Sequence, residues 1–288
     1  MANSPLATPT ETIAVLRRHG LYAKKSLGQH FLVDDNVVGR IMQLAALSGE
    51  ETVVEVGPGI GTLTAALCAQ AGAVVAVERD AQLLPVLAET TVACERLEVV
   101  RADAVAVSAE QLSAAFGAPT ALVANLPYGV AATVVLRFFE LLPGLAAATV
   151  MVQSEVADRM AAAPGGKEYG AYSVKLRLLA RPAGRFAVSR GCFLPPPRVD
   201  SAVLRLERAP LAEDPALLAS AARVADAAFA QRRKTIRNSL RATLAPDLRD
   251  LDAALADAGV DGSARAETLS AQRFIDLATA LQARGLTL

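Results

Sequence analysis

Thr52-Val-Val-Glu55-Val-Gly57-Pro-Gly59-Ile-Gly61 is the stretch that decides the fold. A run of β-branched residues passes directly into three glycines at alternate positions. Residues 52–56 read as a strand, the glycines as a tight turn, and 63–71 as a helix. Downstream the same alternation recurs. Strand-like runs at 74–77, 97–100, 121–124 and 149–152 are interleaved with helical stretches such as 81–90 and 133–142. This predicts an α/β fold whose parallel sheet is covered by helices on both faces.

Upstream, residues 1–20 read as a loose lead-in. Asp34-Asp35-Asn36 can cap a helix whose apolar Val37, Val38, Ile41, Leu44 and Ala45 fall at helical spacing. Runs at 186–189 and 202–206 read as closing strands around Phe193-Leu-Pro195-Pro196-Pro197. After Arg208-Ala-Pro210 the strand-like runs stop, and Ala-, Leu- and Arg-rich helices continue to the end. A domain boundary is therefore expected near residue 208, with an α/β domain at 1–208 and a small all-helical domain at 209–288.

The bulk numbers narrow the class. A chain of 288 residues with 53% apolar side chains can bury a sizeable core. The longest uncharged apolar run, near 145–152, is too short to span a bilayer. Met1-Ala-Asn-Ser-Pro5 lacks the basic-then-apolar pattern of a secretory leader. Cys68, Cys94 and Cys192 are scattered and form no C-x-x-C pair, and His19 and His30 are the only histidines. A cytoplasmic protein without a metal is expected. The 29 basic and 29 acidic residues cancel. This argues against an overall polyanion-binding surface but leaves room for local basic patches.

The glycine turn lets backbone amides approach a ligand at the sheet edge. Its G-x-G-x-G spacing differs from the G-x-G-x-x-G of dinucleotide enzymes, which disfavours a nicotinamide cofactor. Glu78 ends the second strand, where a carboxylate can accept from both hydroxyls of a ribose. Asp103, after the third strand, can accept from an adenine amine. Taken singly, these are also an ordinary turn, a solvated strand end and a helix cap. As an ordered set they point to a nucleoside cofactor. S-adenosylmethionine fits, since it carries ribose and adenine without phosphate and the chain has no P-loop lysine.

Asn125-Leu126-Pro127-Tyr128 follows the fourth strand. An amide oxygen and a neighbouring carbonyl can accept both N–H bonds of a base's exocyclic amine and favour its tetrahedral form. Pro127 holds Leu126 extended, and Tyr128 can stack on the base. Methyl transfer to such an amine needs positioning and charge complementarity rather than a general base. The plain alternative is an Asn-x-Pro turn with Tyr128 as packing.

With these motifs in place, the chain resembles the ribosomal RNA adenine dimethyltransferase family, and most closely its small-subunit (16S) branch. The resemblance is carried by Lys25-Ser-Leu-Gly28-Gln29-His30-Phe31-Leu32, Glu55-Val-Gly57-Pro-Gly59, Asn125-Leu-Pro-Tyr128, Phe193-Leu-Pro-Pro-Pro-Arg198-Val-Asp-Ser201-Ala-Val203 and Gln231-Arg-Arg-Lys-Thr-Ile-Arg-Asn-Ser-Leu240. It covers about residues 24–285. It implies a Rossmann-like methyltransferase sheet of seven mostly parallel strands, followed by a helical RNA-binding domain. It also implies that His30 and Leu32 flank the methionine end of S-adenosylmethionine, with Gly57 and Gly59 beneath the cofactor. Glu78 would hold its ribose and Asp103 its adenine. Asn125 would serve cofactor and target alike, Leu126 would act on the target, and Phe193 would sandwich the target base opposite Tyr128. Two positions depart from the family: His30 stands where Asn is usual, and Gly129 where another Asn is usual.

Arg232, Arg233, Lys234, Arg237 and Arg241 form a basic cluster without an acid among them. On a helix, Arg233, Arg237 and Arg241 would share one stripe, with Phe229, Ile236 and Leu240 facing inward. Charge alone also fits a solvated face; the resemblance favours phosphate contact. Arg17, Arg18, Lys24 and Lys25 form a second, weaker cluster. The expected reaction is dimethylation of two adjacent adenosines near the 3′ end of 16S rRNA within the 30S subunit, by a monomer, in ribosome biogenesis. The alternatives are the same chemistry on large-subunit rRNA, as in the antibiotic-resistance branch, and a non-catalytic assembly factor that keeps the fold.

Overall fold

The apolar runs pair into one sheet. The computed structural model describes residues 3–22, 29–244 and 247–286. The strands are β1 Phe31–Leu32, β2 Thr52–Val56, β3 Ala73–Glu78, β4 Leu97–Arg101, β5 Ala121–Asn125, β6 Ala147–Gln153, β7 Ala180–Val188, β8 Phe193–Leu194 and β9 Ser201–Arg208. Seven of them lie in the order β4-β3-β2-β5-β6-β9-β7, and β1 pairs separately with β8. The pairs from β4 through β6 are parallel, and β9 runs antiparallel to β6. This is the seven-stranded, mostly parallel arrangement expected. The central strands are buried on both faces, which is why they read as continuous Val- and Ala-rich runs.

Strand order fixes where a ligand can sit. The chain winds outward from β2 through β3 to β4, then returns to place β5 on the other side of β2. The loops after β2 and β5 therefore diverge, leaving a crevice at their carboxyl ends.

By internal contacts the chain divides into two units, Met1–Ala157 with Pro182–Glu207, and Asp158–Arg181 with Arg208–Leu288. The expected boundary near 208 had placed 158–181 in the first domain. In the structure Tyr169, Val174 and Leu178 join the second unit's core, with Val224, Ala228, Ile236, Phe274 and Leu281. The helix Ala171–Leu179 presents these apolar residues to the helix Pro215–Phe229. Such a partnership spans dozens of residues, so local composition does not reveal it.

The lead-in is also ordered, contrary to expectation. Pro9–Arg18 is a helix capped by Thr8, whose hydroxyl accepts from the Glu11 amide at 3.2 Å. Its Val15 and Leu16 pack with Ile60, Leu83 and Val86. A ten-residue helix is marginal by itself, so this one depends on that packing. The Asp34 cap forms as read, with its carboxylate accepting from Asn36 and Val37 ahead of the helix Asp35–Ala45.

Candidate active site

The loops after β2, β3, β4 and β5 converge on a cavity of about 500 Å³ in the first unit. Its walls include His30, Leu32, Gly57, Gly59, Glu78, Asp103, Asn125, Leu126 and Tyr128. Sequence reasoning drew these from separate stretches of the chain, and the topology brings them to one place.

The floor is the glycine turn. Gly57, Gly59 and Gly61 have φ of 68°, 63° and 90°, in the left-handed region that suits glycine. The turn is tied to β3 by the Gly57 amide, which donates to the Val77 carbonyl at 2.9 Å. A Cβ on Gly59 would sit 3.3 Å from the Phe31 ring. Gly61 serves packing instead, since a Cβ there would meet the Thr90 hydroxyl at 2.9 Å. It lets two helices approach and does not line the cavity.

Two buried carboxyls stand above this floor. Glu78 is 6% exposed and accepts from the Asp80 amide at 2.6 Å. Burial pushes its pKa up, while the amides of Asp80, Gly59 and Arg79 pull the other way. Glu55 is 1% exposed, and the Thr64 hydroxyl donates to it at 2.6 Å. Burial, opposed by that bond and reinforced by the Glu78 charge, pushes Glu55 up to about 8. The sequence reading assigned Glu55 no role. The available signal was a lone acid inside an otherwise apolar strand. Asp103 caps its own turn, accepting from the Val105 amide at 3.0 Å, and pairs with Arg79 at 3.1 Å. Turn capping and cavity lining thus coexist at Asp103.

Asn125 ends β5 and turns its amide nitrogen to the His30 carbonyl, 3.4 Å away. Its side-chain oxygen has no protein donor among the described residues, and neither has the Leu126 carbonyl. The Leu126 amide is used, donating to the Met151 carbonyl at 3.1 Å. Two adjacent acceptors are therefore left open beside the cavity. The Tyr128 hydroxyl lies 2.8 Å from the Ser201 hydroxyl, and its ring stacks on His30 with centroids 5.5 Å apart. Burial raises the Tyr128 pKa, with the Ser201 bond opposing. His30 itself is anchored, its Nδ1–H donating to the Pro195 carbonyl at 2.8 Å. Ser201 is a contributor that sequence reasoning left without a role.

Phe193 does not stand opposite Tyr128 with an open face. It is 3% exposed, pairs with Leu32 across the β1–β8 ladder, and packs with Leu32, Val188 and Val203. That ladder draws its ring into the core, so the expected aromatic sandwich is not formed here.

The basic cluster also differs from expectation. The helix begins at Ile236, after a turn closed by the Lys234 amide on the Gln231 carbonyl at 2.8 Å. Arg233 is thus off the helix, and the stripe reduces to Arg237 and Arg241. Arg237 pairs with Asp252, and Arg232 with Glu267 at 3.5 Å and the Lys167 carbonyl at 2.8 Å. Arg233, Lys234 and Arg241 are exposed and have no ion pair among the described residues. In the second cluster Arg18 pairs with Glu89 at 2.6 Å. Lys24 and Lys25 lie outside the described residues, as does the stretch from Lys25 to Gly28.

The chain is similar to known proteins over nearly its whole length. A ribosomal RNA small subunit methyltransferase A from Nocardia farcinica is 45% identical over 288 residues, covering 96% of each chain. One from Shouchella clausii is 41% identical over 288 residues, covering 97% of this chain and 96% of its own. Among solved structures, the 23S rRNA methyltransferase ErmE is similar at a TM-score of 0.64 with 29% identity, over 88% of this chain and 99% of that one. A dimethyladenosine transferase from Plasmodium falciparum shares the fold at a TM-score of 0.76 with 21% identity, over 89% of this chain and 99% of its own. The family model described as ribosomal RNA adenine dimethylase matches residues 20–283. The chain belongs to the ribosomal RNA adenine dimethylase family.

Proposed function

We propose that this chain dimethylates the exocyclic amine of two adjacent adenosines near the 3′ end of 16S rRNA within the 30S subunit. The observation that carries this reading is the pair of open acceptors, the Asn125 side-chain oxygen and the Leu126 carbonyl, beside Tyr128 and above the glycine turn. The small-subunit assignment is supported by the curated relatives, which are small-subunit enzymes by name.

The cavity fits S-adenosylmethionine. Gly57 and Gly59 leave space that a Cβ would narrow, and buried Glu78 lines the same cavity, where its carboxyl can accept from a ribose. When bound, the cofactor supplies an electrophilic methyl on a sulfonium. Glu78 holds the ribose hydroxyls, Asp103 accepts from the adenine amine, and His30 and Leu32 border the methionine end. Asn125 and Leu126 accept the two N–H bonds of the target amine and draw its nitrogen out of conjugation. Tyr128 stacks on the extruded base, as a flipped nucleotide requires. The charge that develops on nitrogen is met by these oxygens, and the methylated nitrogen then loses its proton to solvent.

Arg233, Lys234 and Arg241 contact phosphates and orient the RNA without reading sequence. Lys and Arg outnumber Asp and Glu in the second unit and are outnumbered in the first, which supports that division of labour. No helix among the described residues is long and apolar enough to cross a membrane. We take the working form to be a cytoplasmic monomer.

The test is incubation of the purified protein and radiolabelled cofactor with unmethylated 30S particles, 50S particles and naked RNA. Primer extension then locates the stops that doubly methylated adenine causes. Stops at paired adenines in 30S particles are expected. Labelling of 50S particles alone would move the assignment to large-subunit RNA, and no labelling would leave a binding role.

A further inference from the structure

Tyr128 is held at two points by residues distant in sequence. Ser201 opens β9 within a run of buried residues, Ala202, Val203 and Leu204. Its own side chain is fully buried. A hydroxyl in that position needs a partner, and it has one in the Tyr128 hydroxyl at 2.8 Å. The second point is the ring face. His30 lies against it, with centroids 5.5 Å apart and planes 26° from parallel. His30 is fixed in turn by the Pro195 carbonyl at its Nδ1, and its own carbonyl takes the Asn125 amide. One end and one face of the tyrosine are thereby committed, and the ring still borders the cavity.

We propose that Ser201 and His30 are positioning residues that set the Tyr128 ring in advance, so that its remaining face receives the target base beside the Asn125 and Leu126 oxygens. This rests on the reading of Tyr128 as the base platform. The physical gain is preorganisation: a ring already fixed loses no further freedom when RNA arrives, and a small tilt of the base would misplace its amine relative to both acceptors. The chain of interactions also links the two halves of the reaction. Asn125 touches His30, His30 touches Tyr128, and Tyr128 touches Ser201, so the residue that directs the amine and the residue that supports the base share one frame.

The experiment is a double-mutant cycle on Ser201→Ala and Tyr128→Phe, with His30→Ala, Tyr128→Ala and Ser201→Thr as companions. Single-turnover rate and KM for unmethylated 30S particles are measured, with cofactor Kd and Tm as controls. Each of Ser201→Ala and Tyr128→Phe is expected to lower kcat/KM for RNA by about three- to tenfold, the effect of one lost hydrogen bond. The double variant should be no worse than either single one. Cofactor Kd should stay unchanged in the Ser201 and Tyr128 variants, Ser201→Thr should recover the rate, and His30→Ala, measured at saturating cofactor because His30 also borders the cofactor, should lower it. Effects that multiply in the double variant, or a Ser201→Ala loss that lies in cofactor affinity, overturn the proposal. Wild-type rates for both Ser201→Ala and His30→Ala beside an inactive Tyr128→Ala overturn it while sparing the platform. An active Tyr128→Ala removes the platform itself. Should Ser201→Ala not fold, Ser201→Cys, close to serine in volume and a weak donor, carries the same cycle.

Discussion

The Arg237 guanidinium holds the Asp252 carboxylate at two points, Nε to Oδ1 at 2.5 Å and Nη2 to Oδ2 at 2.7 Å. Hydrogen bonding within the pair raises the Arg237 pKa and keeps Asp252 below the usual carboxylate range. A cation so engaged has little charge to offer a phosphate. Arg233, Lys234 and Arg241 have no such partner among the described residues. Replacing any of these three by Ala should weaken RNA binding and lower the slope of log K against log salt by about 1 for each phosphate no longer neutralised. Arg237→Ala should move that slope much less. Titration at several salt concentrations checks this, and an equal effect at Arg237 would mean that RNA opens the pair.

Asn125→Ala removes one of the two open acceptors. Loss of a single preorganised polar group facing developing charge costs about 10²-fold or more in rate. Single-turnover methylation should fall by that order. RNA binding should persist, because the basic residues of the second unit are untouched. A variant that stays active would place the acceptor elsewhere.

Tyr128→Phe keeps the ring, and Tyr128→Ala removes it. Stacking a base on an aromatic ring contributes on the order of 1–3 kcal/mol. The alanine variant should therefore lose much more activity on RNA than the phenylalanine variant. Equal losses would assign the effect to the hydroxyl alone.

Glu55→Gln should change how stability depends on pH. Folding raises the Glu55 pKa from 4.5 to about 8. The proton is thus held more tightly in the folded chain. The stabilisation is fully present below about 4.5, is lost as pH rises through the window up to about 8, and is flat beyond it. The glutamine variant lacks this loss. Its folding stability should gain on the wild type as pH rises across that window, by on the order of a few kcal/mol at the upper end, read as a growing difference between the two Tm values. Parallel Tm curves would show that Glu55 is charged throughout.

The legible parts of this molecule were those governed by local pattern. β2 falls at its expected residues because a strand buried on both faces must be apolar at nearly every position, and Gly57 marks its end. The adjoining strands lie within a few residues of their runs for the same reason. The cavity residues were legible because parallel strands deliver their carboxyl ends to one crevice, so motifs after successive strands must meet. What the pattern could not show depended on distant partners. The helix Pro9–Arg18 needs Ile60 and Leu83. The segment 158–181 belongs with helices that follow residue 208. Phe193 is turned inward by pairing with Leu32, and the basic stripe is interrupted by a turn that the charge spacing alone did not signal.

The rims of the sheet carry one more consequence. β7, at one border, alternates exposed Arg181, Ala183 and Arg185 with Pro182 and Gly184. β4, at the other, exposes Glu98 and Arg101. Charge, an imino acid and a glycine make poor templates for a neighbour's backbone. Both borders therefore discourage edge-to-edge addition of a further strand, so that the sheet is guarded at the two places where its backbone could otherwise be extended.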